Sequence, residues 1–215
     1  MVLDEYRQDA DAVLEPVAKA MGDTHPDTLT WTALFCAVLA GAFFALSRYG
    51  PWLLALGAFF VFMNGVLDAL DGKIAKMSGK ASRKGDLLDH VVDRYADFFM
   101  IGGIMLSPYC RHAIIGLAAL LGVFMTSYMG TQAQAVGAKR DYSGILGRAD
   151  RLALLIAMPL LQYMLIINWA PTEIPLPWAF SINLIEIMLI WFAIAGNATA
   201  IQRGMKTWRH LSEEK

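Results

Sequence analysis

The chain has 215 residues, of which 57% are hydrophobic and only 17% are charged. Soluble domains average about 45–50% apolar and about 25% charged residues, so this composition excludes an intrinsically disordered chain and indicates a membrane protein. The 18 basic residues face 19 acidic ones, which leaves no basic excess for a nucleic-acid binder. Two cysteines are too few for a disulfide scaffold, and Cys36 and Cys110 are predicted to be packing residues.

The chain starts with a segment, residues 1–24, in which apolar residues recur at helical spacing among acidic ones. This pattern predicts an amphipathic juxtamembrane helix on the cytoplasmic membrane surface, and a soluble cap on the bundle is the alternative. The acidic residues argue against a signal peptide. A domain of six apolar stretches follows at residues 25–209, and a tail at 210–215. We therefore predict an all-α integral membrane fold with six transmembrane helices at Trp31–Leu46, Pro51–Leu70, Val91–Leu106, Ala113–Gly137, Leu152–Ala170 and Trp178–Ile201.

Basic residues are distributed unevenly between the two ends of these spans. Most lie in the loops after spans two and four and in the C-terminal tail, whereas the opposite end carries only Arg48 and Arg111. The positive-inside rule therefore places both termini and the loops after spans two and four in the cytoplasm. We expect a multi-pass protein of the plasma membrane.

Four carboxylates lie where span two ends and span three begins. Asp68 and Asp71 are three residues apart and Asp89 and Asp93 are four apart, so each pair shares a helix face. A short loop should make the two spans antiparallel neighbours, and the four acids would then repel one another unless cations lay between them. A site of carboxylate oxygens without His or Cys suits Mg²⁺, Mn²⁺ or Ca²⁺, and Mg²⁺ usually binds substrate phosphates as well.

The sequence thus predicts a metal–phosphate site at the cytoplasmic interface. The alternative is that acidic residues simply pair with Lys and Arg at a helix end. That alternative is kept for Asp86 and Asp97, because ion pairing does not require the spacing that the other four acids show.

A longer pattern includes these acids. From Asp68 the sequence reads DALDGKIAK, then eight residues, then GDLLDHVVD from Gly85 to Asp93. It resembles the signature of the CDP-alcohol phosphotransferase family, DxxDGxxAR, eight residues, GxxxDxxxD. The one departure is Lys76, which keeps the charge of the usual Arg but loses its bidentate fork. The resemblance covers nearly the whole chain and implies the family fold of six spans.

Members of the family transfer a phosphatidyl-type group from a CDP-linked lipid to an alcohol and release CMP. The resemblance implies two divalent cations, Mg²⁺ or Mn²⁺, bound by Asp68, Asp71 and Asp89, with Asp93 completing the second metal site and serving as general base. It also implies a homodimer. The residues that would contact the CDP-lipid are Asp27, Thr28, Leu29, Thr30, Asp68, Gly72, Lys76 and Ser82.

Two of these assignments have simpler explanations in local structure. Asp27 or Thr28 could be an ordinary helix N-cap. Gly85 of the signature is expected to permit close approach of a neighbouring helix.

Three arginines bear on the acceptor alcohol. Arg148 and Arg151 resemble the Arg-x-x-Arg of synthases that use inositol phosphate, and Arg203 resembles a third basic residue of that group. Guanidinium groups around one cavity would bind a phosphomonoester, so the resemblance implies a phosphorylated polyol, with inositol phosphate as the best candidate and glycerol phosphate as the alternative. The alternative is that the three arginines only anchor the cytoplasmic ends of the spans, as the positive-inside rule describes.

Span four departs from the inositol-phosphate synthases. Gly130 and Gln132 stand where those enzymes usually carry Lys and Arg, and Lys139 or Arg140 could compensate from the following loop. The chain also looks like archaetidylinositol phosphate synthase-like archaeal members, which would use CDP-archaeol rather than CDP-diacylglycerol. Their products would be archaetidylinositol phosphate or archaetidylglycerol phosphate.

Two functions of other classes compete with this one. A cation transporter would use the acids as a permeation site, and Glu186 and Asn183 in span six are the deeper polar residues that favour it. The clustering of acids at one end of two spans argues against a transporter. A non-catalytic membrane scaffold is the other alternative, and the intact set of signature acids argues against it.

Overall fold

A computed structural model describes residues 7–22, 24–138, 143–177 and 180–213. In these residues the regular structure is helical except for one β-hairpin. The helices are α1 (Arg7–Ala20), α2 (Pro26–Ala45), α3 (Trp52–Met77), α4 (Arg83–Met105), α5 (Ala113–Ala135), α6 (Arg148–Ile167) and α7 (Leu184–Glu213), with a short 3-10 helix, Leu46–Tyr49, after α2.

Five helices of the described chain are long and apolar enough to cross a membrane: α2 with its 3-10 extension, α3, α5, α6 and α7. They correspond to predicted spans one, two, four, five and six. The predicted third span corresponds to α4, which has 23 residues but carries four aspartates and three basic residues in its first 15. Its composition is therefore less apolar than that of the other five.

Two helix boundaries differ from the predicted spans in a way that matters for function. Helix α3 continues to Met77, beyond the predicted end at Leu70, and α6 begins at Arg148, before the predicted start at Leu152. The polar ends of a span continue the helical hydrogen bonding outside the apolar stretch, which hydropathy does not detect. Signature acids and arginines therefore lie on rigid helices.

The predicted start of span six is wrong. Strand β1 (Ile174–Leu176) pairs antiparallel with strand β2 (Phe180–Ile182), and α7 begins only at Leu184. The hairpin lies between α6 and α7, and its second strand falls within the predicted span six. Trp178, the predicted first residue of the span, lies outside the described residues.

The described part of the N-terminal segment contains a helix, α1. In α1, Ala18 is fully buried in a small apolar cluster with Leu29, Leu70 and Ile74, so this helix packs against α2 and α3. Val17 of the same helix is 43% exposed. Residues 1–6 and 23, which complete the predicted segment, lie outside the described residues.

A single large apolar core joins the helices from α2 to α7. Both cysteines are free and buried, so their predicted role in packing is confirmed. The fully buried side chains of this core include one from each of the six helices: Phe44, Leu54, Ile104, Val123, Leu155 and Phe192.

Glycines let two pairs of helices approach closely. A Cβ on Gly41 of α2 would lie 2.2 Å from the backbone oxygen of Phe99, and one on Gly103 of α4 would lie 2.2 Å from the oxygen of Gly41. Gly122 of α5 and Gly196 of α7 meet in the same manner. Small residues at a helix crossing permit this backbone contact within a membrane. The crossing of α2 and α4 holds α4 in place next to the bundle.

Glu186, which had no sequence-based explanation beyond a transporter, has a structural role. Its carboxylate is 2% exposed and accepts hydrogen bonds from the Arg111 guanidinium, from the Arg111 backbone N–H at 3.1 Å and from the Asn183 backbone N–H at 3.3 Å. Hydrogen bonding to Glu186 raises the pKa of Arg111 above its ordinary value, so the guanidinium stays charged. This cluster ties the loop between α4 and α5 to the start of α7.

Candidate active site

The acid-bearing ends of α3 and α4 converge, but not as predicted. Helix α2 packs along both α3 and α4, whereas α3 and α4 make few direct backbone contacts in the described chain. The five-residue connection between Met77 and Arg83 nevertheless keeps the end of α3 close to the start of α4. Helix α2 is therefore the shared support that positions the acids of both helices.

The four signature acids form two overlapping groups. Carboxylate oxygens of Asp68, Asp71 and Asp89 all lie within 4.8 Å of one another, and so do ligand atoms of Asp89, His90 and Asp93. Asp71 and Asp93 are buried, and Asp68 and Asp89 are partly exposed. The acids predicted to meet therefore do meet. His90 was missed, because the sequence argument treated the site as composed of carboxylates alone.

Asp71 is held by a side chain from another helix. Thr30 of α2 is buried, and its hydroxyl donates to Oδ2 of Asp71 at 2.7 Å. The backbone oxygen of Pro26, at 3.2 Å, is the more distant acceptor. Leu29 beside it is buried with Leu70 in the apolar cluster, so the start of α2 is fixed against α3. The other carboxylate oxygen of Asp71, Oδ1, takes no part in this hydrogen bond.

The capping alternative for the start of α2 is wrong. His25 is the N-cap residue, Pro26 is the first helical residue, and Asp27 and Thr28 lie within the first turn. The backbone N–H of Thr28 donates to the oxygen of His25 at 3.0 Å. Neither Asp27 nor Thr28 is used as a cap, because proline at the first helical position already fixes the start of the helix.

Gly72 follows the second signature acid and faces open space. A Cβ on Gly72 would meet no atom of the described chain within 4 Å, so packing in the protein does not require glycine here. Lys76, one turn later, is exposed. Both residues therefore lie where a ligand can reach them.

Ser82 and Gly85 have a local structural role in capping the start of α4. Ser82 is the N-cap, and its hydroxyl accepts from the N–H of Gly85 at 3.1 Å. A Cβ on Gly85 would have only the Ser82 oxygen within 4 Å in the described chain, at 3.4 Å. The expectation that Gly85 permits close helix approach is therefore wrong.

Arg148 opens α6 directly against the acids. One guanidinium nitrogen lies 3.2 Å from Oδ1 of Asp68, and the other forms an ion pair with Asp93. The segment before α6 is fixed by Thr199 of α7, whose hydroxyl accepts from the N–H groups of residues 145 and 146. Gly144 has φ +137°, a conformation that favours glycine. The tethered segment therefore sets the position of Arg148.

A buried ion-pair chain continues from Asp93 along α4. Arg94 lies 3.4 Å from Asp93 and 3.8 Å from Asp97, and Asp97 lies 2.9 Å from Arg151 of α6. Asp97 and Arg151 are almost fully buried. Asp97 is therefore an ion-pair partner, as its alternative interpretation held. Arg94 was missed as a site residue, although a charged side chain within a predicted span is the signal that marks it.

The third predicted arginine makes a different set of contacts. Arg203 of α7 is buried, and it donates to the backbone oxygens of Ser143 at 2.8 Å and Thr126 at 2.7 Å. The structure thus brings Arg148 and Arg151 to the carboxylates, whereas these contacts of Arg203 are with α5 and the segment before α6. Lys139 and Arg140, the predicted substitutes for span four, lie outside the described residues.

This chain is similar along most of its length to named synthases and to solved structures. It is 29% identical to the phosphatidylinositol phosphate synthase of Cutibacterium acnes, over 94% of this chain and 95% of that one. It is 28% identical to the archaetidylinositol phosphate synthase of Methanothermobacter thermautotrophicus, over 98% and 96%. Crystal structures of the phosphatidylinositol phosphate synthase of Mycobacterium tuberculosis are known with CDP-DAG bound and in complex with manganese and citrate.

Those two crystal structures superpose with TM-scores of 0.71 and 0.72 at 23% and 22% identity, and each covers 90% of this chain and 92% or 88% of its own. They share its fold. Residues 23–199 match the family model for CDP-alcohol phosphatidyltransferases. The chain is therefore a member of the CDP-alcohol phosphatidyltransferase family, a transferase of substituted phosphate groups.

Proposed function

We propose that the protein transfers a phosphatidyl- or archaetidyl-type group from a CDP-linked lipid to inositol phosphate and releases CMP. The observation that carries this proposal is the convergence of Asp68, Asp71, Asp89 and Asp93 from two helices, with Arg148 against two of them. Family membership supports the reaction type, and the geometry supports the choice of residues.

The donor set fits divalent cations. Hard carboxylate oxygens within 4.8 Å of one another suit Mg²⁺ or Mn²⁺, and the imidazole of His90 in the second group is better suited to Mn²⁺. We assign two ions, with Asp89 common to both groups. Bound there, the cations would neutralise the diphosphate and stabilise the charge on the departing CMP.

Asp93 is the proposed general base. It is buried, and it lies between the metal-ligand acids and the arginines, where an acceptor hydroxyl and its phosphate can both be held. The hydroxyl oxygen forms a bond to the lipid-bearing phosphorus, the bond from that phosphorus to the CMP oxygen breaks, and the hydroxyl proton passes to Asp93. Arg148 draws Asp93 and Asp68 together and so orients the base.

The remaining signature residues are proposed to bind the CDP-lipid. Gly72 offers its backbone to the nucleotide, since no protein atom fills the space next to it. Lys76 contributes a cation. The other proposed contacts come from the start of α2 and the N-cap of α4: Asp27, Thr28, Leu29, Thr30 and Ser82.

A phosphorylated acceptor is preferred because the cluster is built from guanidinium groups, and inositol phosphate is our candidate among such acceptors. Arg148 and Arg151 enter the site together from the first turn of α6, and planar guanidinium groups bind phosphomonoesters in bidentate fashion. Relatives named as inositol phosphate synthases, both bacterial and archaeal, support the same acceptor. CDP-archaeol and CDP-diacylglycerol are both candidate donors.

The proposed enzyme is a multi-pass protein with its active site on the cytoplasmic side. We include α4 as the sixth span, with its charged first half at the interface and its apolar second half in the bilayer. Basic residues concentrate at the end of the bundle where the acids lie, in agreement with the positive-inside rule. Helix α1 would lie on the same membrane surface, and we expect a homodimer.

A transfer assay tests the proposal. Purified protein in detergent is given a CDP-lipid, Mg²⁺ or Mn²⁺, and in turn inositol phosphate, glycerol phosphate, serine or free inositol. CMP release and product mass identify the acceptor, and inositol phosphate is expected to give the fastest turnover. Serine or free inositol as the best substrate would overturn the assignment of the arginines.

Matched aspartate variants test the base. Asp93→Asn should abolish CMP release, because it removes the proton acceptor and a metal ligand together. Asp86→Asn on the same helix is the control, since that side chain is 73% exposed and belongs to neither acid group. Full activity of Asp93→Asn would exclude it as the base.

A further inference from the structure

Two carboxylates of α4 link three guanidinium groups in a row. Asp93 contacts Arg148 through Oδ1 and lies 3.4 Å from Arg94 through Oδ2. Asp97 lies 2.9 Å from Arg151 and 3.8 Å from Arg94 through one oxygen. The order Arg148–Asp93–Arg94–Asp97–Arg151 therefore crosses from α6 to α4 and back. Arg94 is the central cation of this row.

Each of these three arginines keeps a buried N–H that donates to no acceptor in the described chain. The atoms are Nη1 of Arg94, Nε of Arg148 and Nε of Arg151. Buried donors without an acceptor are uncommon, and each one calls for an explanation. Three guanidinium charges so close together also repel one another. A bound anion would accept from these donors and reduce the repulsion.

We propose that Arg94 is a third ligand of the acceptor phosphate, together with Arg148 and Arg151, an inference that rests on the function proposed above. The guanidinium of Arg94 lies directly beside Asp93. An acceptor whose phosphate is bound by Arg94 would therefore be kept next to the base. A guanidinium group can donate several N–H hydrogen bonds to phosphate oxygens at once. The ligand class is a phosphomonoester dianion.

This assignment also explains the departure in span four. Gly130 and Gln132 of α5 supply no cation, and the Nε and Nη1 atoms of Arg203 donate to backbone oxygens. Helix α4 supplies a cation instead, from the residue that follows the last signature acid. A single α4 turn thus carries both the base and a phosphate ligand.

The test compares Arg94→Gln and Arg94→Lys with wild type and with Arg83→Gln, an exposed arginine at the start of the same helix. Arg94→Gln should raise the KM for inositol phosphate by about tenfold or more, with the KM for the CDP-lipid unchanged. Arg94→Lys keeps the positive charge but has one nitrogen in place of the two that face Asp93 and Asp97, so it should fold like wild type and show a smaller rise than Arg94→Gln. Arg83→Gln should match wild type.

Inorganic phosphate provides a second readout. It should inhibit wild type competitively with inositol phosphate, and Arg94→Gln should raise its inhibition constant by the same factor. A fall in kcat with an unchanged KM for inositol phosphate would overturn the proposal, because Arg94 would then act only through Asp93. An unchanged inhibition constant would overturn it as well.

The acceptor assignment can fail separately from this inference. If wild type makes no product from inositol phosphate, the proposed acceptor is wrong. In that case, the thermal stabilisation of the protein by inorganic phosphate, measured in EDTA without substrate, tests whether Arg94 belongs to an anion site. Stabilisation that is lost in Arg94→Gln and kept in Arg83→Gln supports the anion site, and equal stabilisation of both variants refutes it.

Discussion

The hydrogen bond from Thr30 to Asp71 offers a sharp test of how the acid cluster is positioned. The hydroxyl is buried, and it donates to a carboxylate at 2.7 Å from a different helix. Thr30→Val removes this donor and keeps the shape of the side chain. Oδ2 of Asp71 then loses its fixed partner, and the carboxylate can turn away from Asp68 and Asp89.

A hydrogen bond to a charged group contributes about 1.5–3 kcal/mol. Because the site is open on the Asp68 side, we take the lower end of that range, which corresponds to about a tenfold change in an equilibrium constant. Thr30→Val should therefore raise the Mn²⁺ concentration needed for half-maximal CMP release about tenfold. Its melting temperature in EDTA should also fall, since the buried carboxylate oxygen has lost its donor.

The controls separate the hydrogen bond from the helix. Thr30→Ser restores a hydroxyl and should return the Mn²⁺ requirement close to that of wild type. Thr32→Val alters an exposed threonine of the same helix whose hydroxyl donates to a backbone oxygen, and it should leave that requirement unchanged. An unaltered Mn²⁺ requirement in Thr30→Val, or a Thr30→Ser variant that is equally impaired, would refute the reasoning.

Three further predictions concern helix packing, the ion pair of Arg111 with Glu186, and nucleotide binding. Gly41→Ala should lower the melting temperature in detergent sharply, because its Cβ would overlap backbone at 2.2 Å, whereas Gly102→Ala on α4, which has open space, should not. Arg111→Met should destabilise the fold by about 1–3 kcal/mol, measured by denaturation, because the buried carboxylate of Glu186 loses its guanidinium partner and keeps backbone N–H donors but no cation; a wild-type stability would contradict this. Gly72→Ala should keep or slightly raise stability yet weaken CDP-lipid binding in titrations, and unchanged binding would rule out close backbone approach.

Much of the candidate site follows from local spacing. Asp68 and Asp71 share a face because they are three residues apart on a helix, and Asp89 and Asp93 share one because they are four apart. A connection of five residues then brings the two pairs together. All four acids lie within about 25 residues of chain. Over that distance, helical geometry and a short loop allow few arrangements of the four side chains.

Other features depend on contacts between distant segments. Thr30 and Asp71 are 41 residues apart, and Arg151 and Asp97 are 54 apart. No periodicity connects such positions, because their meeting depends on which helices pack together. The role of α2 as common support for α3 and α4 depends on such contacts, and so does the interpretation of Gly85. That residue resembled a packing glycine, yet in the described residues no other helix comes within 4 Å of its Cβ position.

The sequence by itself determined the membrane character of the chain, the family, the four acids and the two arginines that open α6, because composition and helical spacing are local properties. Only the tertiary structure decided that Arg94 stands in the middle of the arginine row, that His90 joins the second acid group and that Glu186 is a structural anchor for Arg111. The physical reason is that a charged side chain acquires its role from the partner it meets, and those partners come from helices far apart in the chain.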